Sequence, residues 1–248
     1  MIAATPRLRV FAGPNGSGKS VLKAVLPPPL LGIYLNPDEI EASIRQNGFL
    51  DLGVYGVSTT AAELLSAFTG SELLRSAGLL EPARRLRFEG ERLDFAGVEV
   101  NAYFASVAVD VLRQHLLKRR ASFTCETVMS HPGKVALLEK AQRLAYRTYL
   151  YFVATDDPKI NVSRVLNRVG LGGHAVPEDK IISRYHRSLA LLLEAIKHTS
   201  RAYIFDNSTD SADPQLAWIA EITDGRRLEL KTDRIPAWFN RAVIEKIA

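Results

Sequence analysis

Short runs of apolar and β-branched residues alternate along the chain with stretches whose apolar residues recur at helical spacing. This alternation is typical of a largely parallel sheet whose strands are joined by crossover helices. We therefore predict an α/β fold with a mostly parallel five-stranded sheet. The five predicted strands are "LRVFA" at 8–12, "GIYL" at 32–35, "SFTCE" at 122–126, "TYLYFVAT" at 148–155 and "AYIFD" at 202–206.

Proline and glycine mark the ends of the predicted helices. A helix over 18–26 must end at the three prolines of 27–29, because proline cannot continue a helix. The segment "NPDEIEASIRQNG", 36–48, supplies a capping asparagine, a proline at the first helical position and a terminating glycine. Three later helices are predicted to open with proline in the first turn, at Pro132, Pro158 and Pro177.

Two segments depart from this alternation. Residues 51–100 combine a short predicted helix near 60–68 with two alternating runs around Glu89-Gly90, which predict a β-hairpin. Because connections of that length are usually functional, we interpret 51–100 as a substrate-side insertion within one domain that spans 1–248. Residues 209–248 predict a hairpin, with its turn at Asp224-Gly225, and a helix, both packed on the sheet.

The composition narrows the class of protein. No run reaches the about 18 apolar residues of a membrane span, and the N-terminus lacks the apolar segment of a signal peptide, so we expect a cytoplasmic protein. The single cysteine, Cys125, excludes an intramolecular disulfide and a cysteine-based zinc cluster. The formal charge of +5 favours anionic partners, but charges of both signs are interspersed, so nucleic acid is not an expected partner.

The segment "GPNGSGKS", 13–20, points to phosphate chemistry. It matches the phosphate-loop pattern G-x-x-x-x-G-K-S and lies between a predicted buried strand and a predicted helix, as that pattern requires. Its glycines allow backbone N–H groups to surround a phosphate at a helix N-terminus, whose dipole favours the anion. Lys19 would reach the β- and γ-phosphates of ATP, and Ser20 would hold Mg²⁺. The predicted nucleotide-binding residues are Gly13, Pro14, Asn15, Gly16, Ser17, Gly18, Lys19 and Ser20.

Two carboxylates follow predicted strands at the carboxyl edge of the sheet, where ligands of open α/β folds bind. Asp38, in the first turn of its helix, would be ionised and could accept a hydroxyl proton, or it could only complement the helix dipole. Glu126 could orient a substrate hydroxyl or a metal-bound water, or it could cap the helix that begins near Pro132. The residues alone leave both pairs of alternatives open.

An ordered set of motifs resembles the zeta toxin family of phosphate-loop kinases over residues 8–208. The set is "AGPNGSGKS", "NPDEI", "ETVMSH", "RVLNRVGLGGHAVPEDKI" followed by "RY", and "FDNS". The resemblance implies a kinase in which Asp38 is the catalytic base, Lys19 the phosphate-loop lysine and Glu126 a residue on the substrate side. Zeta toxins phosphorylate UDP-N-acetylglucosamine, so a nucleotide-sugar hydroxyl and an antitoxin partner are also implied. The Gly-Gly-His version of the motif is typical of stand-alone members.

Cations flank the Gly-Gly-His turn at 172–174. Arg164 and Arg168 are four residues apart and share a face of one predicted helix; Arg184 and Arg187 share a face of the next. Since the segment follows the fourth strand, we predict a lid over the phosphate loop. Arg168 and Arg184 are the first candidates to stabilise the transferred phosphoryl group, and Arg164 is the third. A solvated helix face is the alternative.

These observations predict an ATP- and Mg²⁺-dependent kinase that phosphorylates a hydroxyl of a small molecule. The acceptor is expected between the "NPDEI" helix, Glu126 and the 51–100 insertion, and "FDNS", 205–208, is expected either to touch adenine or to cap the next segment. Two other classes stay open. One is a kinase of another metabolite or of a nucleic-acid end, and the other is a non-catalytic nucleotide-dependent switch that binds a protein partner.

Overall fold

The computed structural model describes residues 5–170, 175–209 and 216–247 of the 248-residue chain. The chain divides into two compact units, one formed by Met1–Gly32 with Phe123–Ala248 and the other by Ile33–Ser122. No helix among the described residues is long and apolar enough to cross a membrane.

The strands and helices are numbered in chain order. The strands are β1 (Arg7–Ala12), β2 (Ile33–Leu35), β3 (Phe49–Asp51), β4 (Arg87–Glu89), β5 (Arg92–Asp94), β6 (Phe123–Thr127), β7 (Arg147–Ala154), β8 (Arg201–Asp206), β9 (Ala217–Thr223) and β10 (Arg227–Leu230). The helices are α1 (Leu22–Val25), α2 (Pro28–Leu31), α3 (Pro37–Asn47), α4 (Ala61–Thr69), α5 (Glu72–Ser76), α6 (Leu80–Ala83), α7 (Ala102–Lys118), α8 (Pro132–Arg143), α9 (Pro158–Gly170), α10 (Glu178–Lys197), α11 (Ala237–Phe239) and α12 (Glu245–Ile247). Short 3-10 turns lie at Lys19–Val21 and Gly53–Tyr55, and a π turn lies at Asn240–Ile244.

Six strands of the larger sheet belong to the first unit, in the order β10-β9-β8-β7-β1-β6. Strands β6, β1, β7 and β8 are parallel, whereas β9 and β10 form an antiparallel hairpin that continues the sheet beyond β8. The mostly parallel α/β class is therefore confirmed, but the count of five strands was too low because the C-terminal hairpin joins the sheet. The turn residues Asp224 and Gly225 both have positive φ, as tight hairpin turns require.

The strand order determines which loops can meet. β1 lies between β6 and β7, and its residues Leu8, Val10, Phe11 and Ala12 are all buried. Parallel neighbours end at the same edge of a sheet, so the segments that follow β1, β7 and β8 emerge side by side. Cys125 is buried in β6.

The segment after β1 differs from its prediction. In place of one helix over 18–26, a 3-10 turn at Lys19–Val21 leads into α1, a single α-helical turn that ends before Pro27. Aligned peptide dipoles add along a helix, so this short segment provides a smaller dipole than the sequence analysis assumed. The helix at Pro28–Leu31 was not predicted, and Pro177 lies immediately before α10 rather than in its first turn.

The second unit contains a three-stranded antiparallel sheet with the order β3-β5-β4. Strands β4 and β5 pair with Glu89 opposite Arg92, which confirms the hairpin around Glu89-Gly90. Three aromatic rings form the centre of this unit: Phe95 contacts Phe104 edge-on with a centroid distance of 5.9 Å, and Phe68 lies 6.4 Å from each of them.

Candidate phosphate-binding site

The backbone of the loop 13–20 requires glycine at three positions. Gly13, Gly16 and Gly18 have φ of 146°, 73° and 94°, a region that side chains other than glycine rarely adopt. Neighbouring atoms also leave no space for a side chain. An added Cβ would lie 2.0 Å from the Val153 carbonyl oxygen at Gly13, 2.5 Å from the Asn161 carbonyl oxygen at Gly16 and 2.3 Å from Asn207 Nδ2 at Gly18.

Lys19 lies against the same loop. Its Nζ donates hydrogen bonds of 3.0 Å to the carbonyl oxygens of Gly13 and Pro14, which keeps the ammonium group beside the loop backbone. Ser20, the next residue, is exposed. The lysine and the hydroxyl expected to serve phosphate and metal are therefore adjacent at the end of the loop.

The loop also has unused hydrogen-bonding capacity. Among the described residues, two buried side-chain oxygens have no hydrogen-bond partner, Asn15 Oδ1 and Ser17 Oγ, and both belong to this loop. Buried polar groups are normally paired, so such exceptions call for an explanation. Phosphate oxygens accept hydrogen bonds, so a phosphate could pair with the Ser17 hydroxyl and the Lys19 ammonium, which are donors, but not with Asn15 Oδ1, which is an acceptor. The residues present fit a phosphate group.

Two asparagine side chains from outside the loop bind its carbonyl groups. Asn161 Nδ2, on α9, donates to the Asn15 carbonyl oxygen at 2.6 Å, and Asn207 Nδ2, directly after β8, donates to the Ser17 carbonyl oxygen at 2.9 Å. Neither contact with the loop was predicted, although Asn207 lies in the motif "FDNS". Asn161 could have been found as a polar residue four positions before the apolar Val165, on the buried side of the helix.

The segment after β8 is held by its own hydrogen bonds. Asp206 accepts from the Ser208 hydroxyl at 2.7 Å and from Trp238 Nε1 at 2.7 Å, and the Ser208 oxygen accepts from the Asp156 backbone N–H. Trp238 is fully buried, so the C-terminal segment fixes the end of β8. The two alternatives that we predicted for "FDNS", a contact with adenine and a cap of the next segment, both stay predictions.

Tyr185 links α10 to the end of β7. Its hydroxyl donates to the Thr155 carbonyl oxygen at 2.6 Å. Burial raises the pKa of this hydroxyl, and the nearby Asp156 carboxylate raises it further. Tyr185 therefore stays protonated and remains a donor across the physiological pH range.

The three lid arginines differ in their surroundings. Arg164 Nη1 donates to the Asn207 carbonyl oxygen at 2.8 Å and Nη2 to that of Thr209 at 3.3 Å, so this residue joins α9 to the segment after β8. Arg168 is exposed in the last turn of α9, and Arg184 is half-buried on α10. Helices α9 and α10 pack together through Val162, Val165 and Ile181. The turn at Gly172, Gly173 and His174 lies outside the described residues.

Glu126 does not cap the helix that follows it. It lies inside β6 opposite Phe11, half-buried and one position from the strand end. The cap of α8 is His131, whose Nδ1 accepts from the Gly133 N–H at 3.1 Å. The capping interpretation of Glu126 was therefore wrong, and its substrate-side role stays a prediction.

Asp38 belongs to the second unit and is exposed in the first turn of α3. The capping oxygen of this helix is Asn36 Oδ1, which accepts from the N–H groups of Asp38 at 2.8 Å and Glu39 at 3.4 Å. The cap, the first-position Pro37 and the terminating Gly48 are all as predicted. Asn36 supplies the cap, so Asp38 does not act as one. Both predicted roles of Asp38, a base and a carboxylate that only complements the helix dipole, stay predictions.

Part of the chain is similar to a known protein family. The family model described as Zeta toxin matches residues 95–212, a range that contains Glu126, the lid arginines and both asparagines but not the loop 13–20 or Asp38. No curated protein matches the chain.

Three solved structures share the fold at low sequence identity. The AvrRxo1-ORF1:AvrRxo1-ORF2 complex with sulphate ions aligns with a TM-score of 0.56 at 12% identity, over 99% of this chain and 64% of that chain. The corresponding complex with ATP aligns with a TM-score of 0.51 at 14% identity, over 99% of this chain and 64% of that chain. The PezAT chromosomal toxin-antitoxin system of Streptococcus pneumoniae aligns with a TM-score of 0.52 at 14% identity, over 98% of this chain and 78% of that chain. This chain thus spans slightly less than two thirds of the AvrRxo1 chain. The likeness confirms the α/β fold.

Proposed function

We propose that this zeta-toxin-like chain is an ATP-dependent kinase that transfers the γ-phosphate of ATP to a hydroxyl of a small molecule. One observation carries the proposal. The loop 13–20 combines glycines that no other residue could replace, a lysine bound to the loop carbonyls and a buried Ser17 hydroxyl that has no partner. A turn with only a structural role would have no use for a buried hydroxyl that has no hydrogen-bond partner.

Lys19 is assigned to the β- and γ-phosphates. Its ammonium can exchange the neutral carbonyls of Gly13 and Pro14 for charged phosphate oxygens, which form stronger hydrogen bonds with a cation. Mg²⁺ neutralises charge on those oxygens when it is bound, and the exposed Ser20 hydroxyl is the ligand that this chain would offer.

Asp38 is assigned as the base that accepts the proton of the acceptor hydroxyl. The carboxylate is exposed, and Asn36 already caps the helix, so Asp38 is available for proton transfer. The assignment rests on this position in α3 and on the family resemblance of "NPDEI".

Arg168 and Arg184 are assigned to the charge of the transferred phosphoryl group. Arg164 is the third candidate for that role, and its guanidinium is bonded to the carbonyl oxygens of Asn207 and Thr209. A direct phosphate contact would require Arg164 to give up these acceptors.

For the acceptor we propose a nucleotide sugar, UDP-N-acetylglucosamine, with Glu126 on the acceptor side. The family resemblance supports this choice, as does the position of Glu126 beside the strand that leads into the phosphate loop. Because PezAT is a toxin-antitoxin system, we also propose a protein antitoxin as partner. We further propose a cytoplasmic location, as expected from the sequence.

The acceptor proposal is tested by acceptor-dependent turnover. We expect purified chain with Mg²⁺ and ATP to release ADP faster when UDP-N-acetylglucosamine is added, and phosphorus NMR to detect a new phosphomonoester on the sugar. Stimulation by another metabolite instead would retain the kinase and replace the acceptor. Labelling of an oligonucleotide end, with a steep salt dependence, would identify a nucleic-acid kinase. Turnover that only a protein partner alters would favour a nucleotide-dependent switch.

A further inference from the structure

The asparagine clamp, formed by Asn161 and Asn207, holds two peptide groups of the phosphate loop from outside. Asn161 Nδ2 bonds the carbonyl oxygen of Asn15, and Asn207 Nδ2 bonds that of Ser17. Both side chains are buried, with exposed fractions of 0% and 7%. Each therefore offers its amide to the loop rather than to water.

A hydrogen bond that holds the carbonyl group of a peptide unit also orients the N–H group of the same unit. The carbonyl of Asn15 and the N–H of Gly16 belong to one planar trans peptide group, so they point in opposite directions. The carbonyl of Ser17 and the N–H of Gly18 are related in the same way. We propose that Asn161 and Asn207 are positioning residues, which direct the N–H groups of Gly16 and Gly18 towards a bound phosphate. The inference rests on the proposed nucleotide site.

The orientation of the Asn161 amide follows from its neighbours. A carbonyl oxygen only accepts hydrogen bonds, so the atom that faces Asn15 must be Nδ2. On the other side, the Thr155 hydroxyl forms a short hydrogen bond with Asn161 Oδ1. Thr155 is itself fully buried, and its carbonyl accepts from Tyr185. The amide is thus held in the orientation that binds the loop.

Asn207 is anchored through its backbone. Its N–H donates to the Ala154 carbonyl oxygen at 2.9 Å, and its own carbonyl accepts from Arg164 at 2.8 Å. Arg164 and Asn161 both lie on α9, so one helix supports the two halves of the clamp. The positions of the two loop peptide groups are therefore coupled through α9.

The clamp also explains the close approach at two glycines. A Cβ at Gly16 would meet the Asn161 backbone, and a Cβ at Gly18 would meet the Asn207 amide. These two positions require glycine because of the clamp itself, in addition to any contact with phosphate.

The test measures ligand affinity, with Mg²⁺-ATP and inorganic pyrophosphate as the probes. Asn161→Asp and Asn207→Asp replace the donor with an oxygen that repels the loop carbonyl. Each is expected to raise the dissociation constant of both probes by about tenfold, which corresponds to the loss of one hydrogen bond and the repulsion that replaces it. Asn167→Asp, an exposed change on the same helix, is the matched control and should leave both constants unchanged.

A second pair of variants covers the case in which an aspartate variant does not fold. Thr155→Val removes the hydroxyl that orients the Asn161 amide, whereas Thr155→Ser keeps it. Affinity should fall in the valine variant and be retained in the serine variant, with circular dichroism used to confirm that both are folded.

The outcomes separate this inference from the proposed function. The clamp is refuted if folded Asn161→Asp and Asn207→Asp bind both probes as tightly as Asn167→Asp. A lower melting temperature with unchanged affinity for both probes refutes it as well. A chain that binds pyrophosphate but not ATP would contradict the proposed function, and the pyrophosphate constants would still decide on the clamp. An unmodified chain that binds neither probe contradicts both.

Discussion

Replacing Arg168 and Arg184 together with alanine is expected to slow phosphoryl transfer by roughly 10³- to 10⁵-fold, the range seen for arginines that stabilise a transferred phosphoryl group. The physical reason is that charge on the γ-phosphoryl oxygens must be stabilised in the transition state, whereas ATP in the ground state is bound mainly by the loop 13–20. The affinity for ATP should therefore change much less than the rate. Single-turnover transfer and equilibrium binding of ATP, measured on the same preparation, separate the two effects.

Arg187→Ala is the matched control, because Arg187 is exposed on the same helix as Arg184. It should leave transfer within a few-fold of the unmodified chain, as expected for a solvated surface residue. If the double variant transfers phosphate as fast as this control, the cations of α9 and α10 form only a solvated face, and the lid prediction is wrong.

Asp38→Asn is expected to bind ATP normally and to lose transfer by roughly 10²- to 10⁴-fold, the contribution typical of a general base. Asparagine keeps the shape of the side chain but cannot accept the proton of the acceptor hydroxyl. The cap of α3 depends on Asn36, so the helix should remain folded in this variant. The measurement is the transfer rate at saturating ATP and acceptor, with thermal unfolding as a check of the fold.

Glu39→Gln provides the comparison for Asp38, because Glu39 is the adjacent exposed carboxylate in the same turn. If both changes reduce transfer equally, the effect comes from the charge at the helix N-terminus and not from a base. Retained transfer by Asp38→Asn would also exclude Asp38 as the base.

Helix α3 shows what could be predicted from local sequence. Its asparagine cap, first-position proline and terminating glycine with positive φ each act within a few residues, so the sequence determines them locally. The hairpin turns at Glu89-Gly90 and Asp224-Gly225 are local in the same sense. The helix after the phosphate loop was predicted too long, because Gly18 with its positive φ delays the start and Pro27 limits the end.

Long-range contacts explain what the sequence did not predict at the site. The phosphate loop was evident from its own eight residues, but Asn161 and Asn207 reach it from about 150 and 190 positions away along the chain. Asn161 belongs to no motif that we identified, and the motif "FDNS" that contains Asn207 gives no sign of a contact with the loop. The adjacency of β1, β7 and β8 in the sheet brings both residues to the loop. Trp238 is also brought to its partner by a contact between distant parts of the chain, because its hydrogen bond to Asp206 fixes the end of β8.

We propose that this chain moves phosphate from ATP to a small molecule through the loop 13–20. The most direct measurement incubates purified chain with a cell extract of small metabolites and ATP labelled at the γ-phosphate. We predict that one class of metabolite acquires the label, that Lys19→Ala abolishes the signal, and that Lys23→Ala, a change just beyond the loop, preserves it. An unmodified chain that labels no metabolite would rule out the proposed transfer, and equal labelling with Lys19→Ala would rule out the role of the loop.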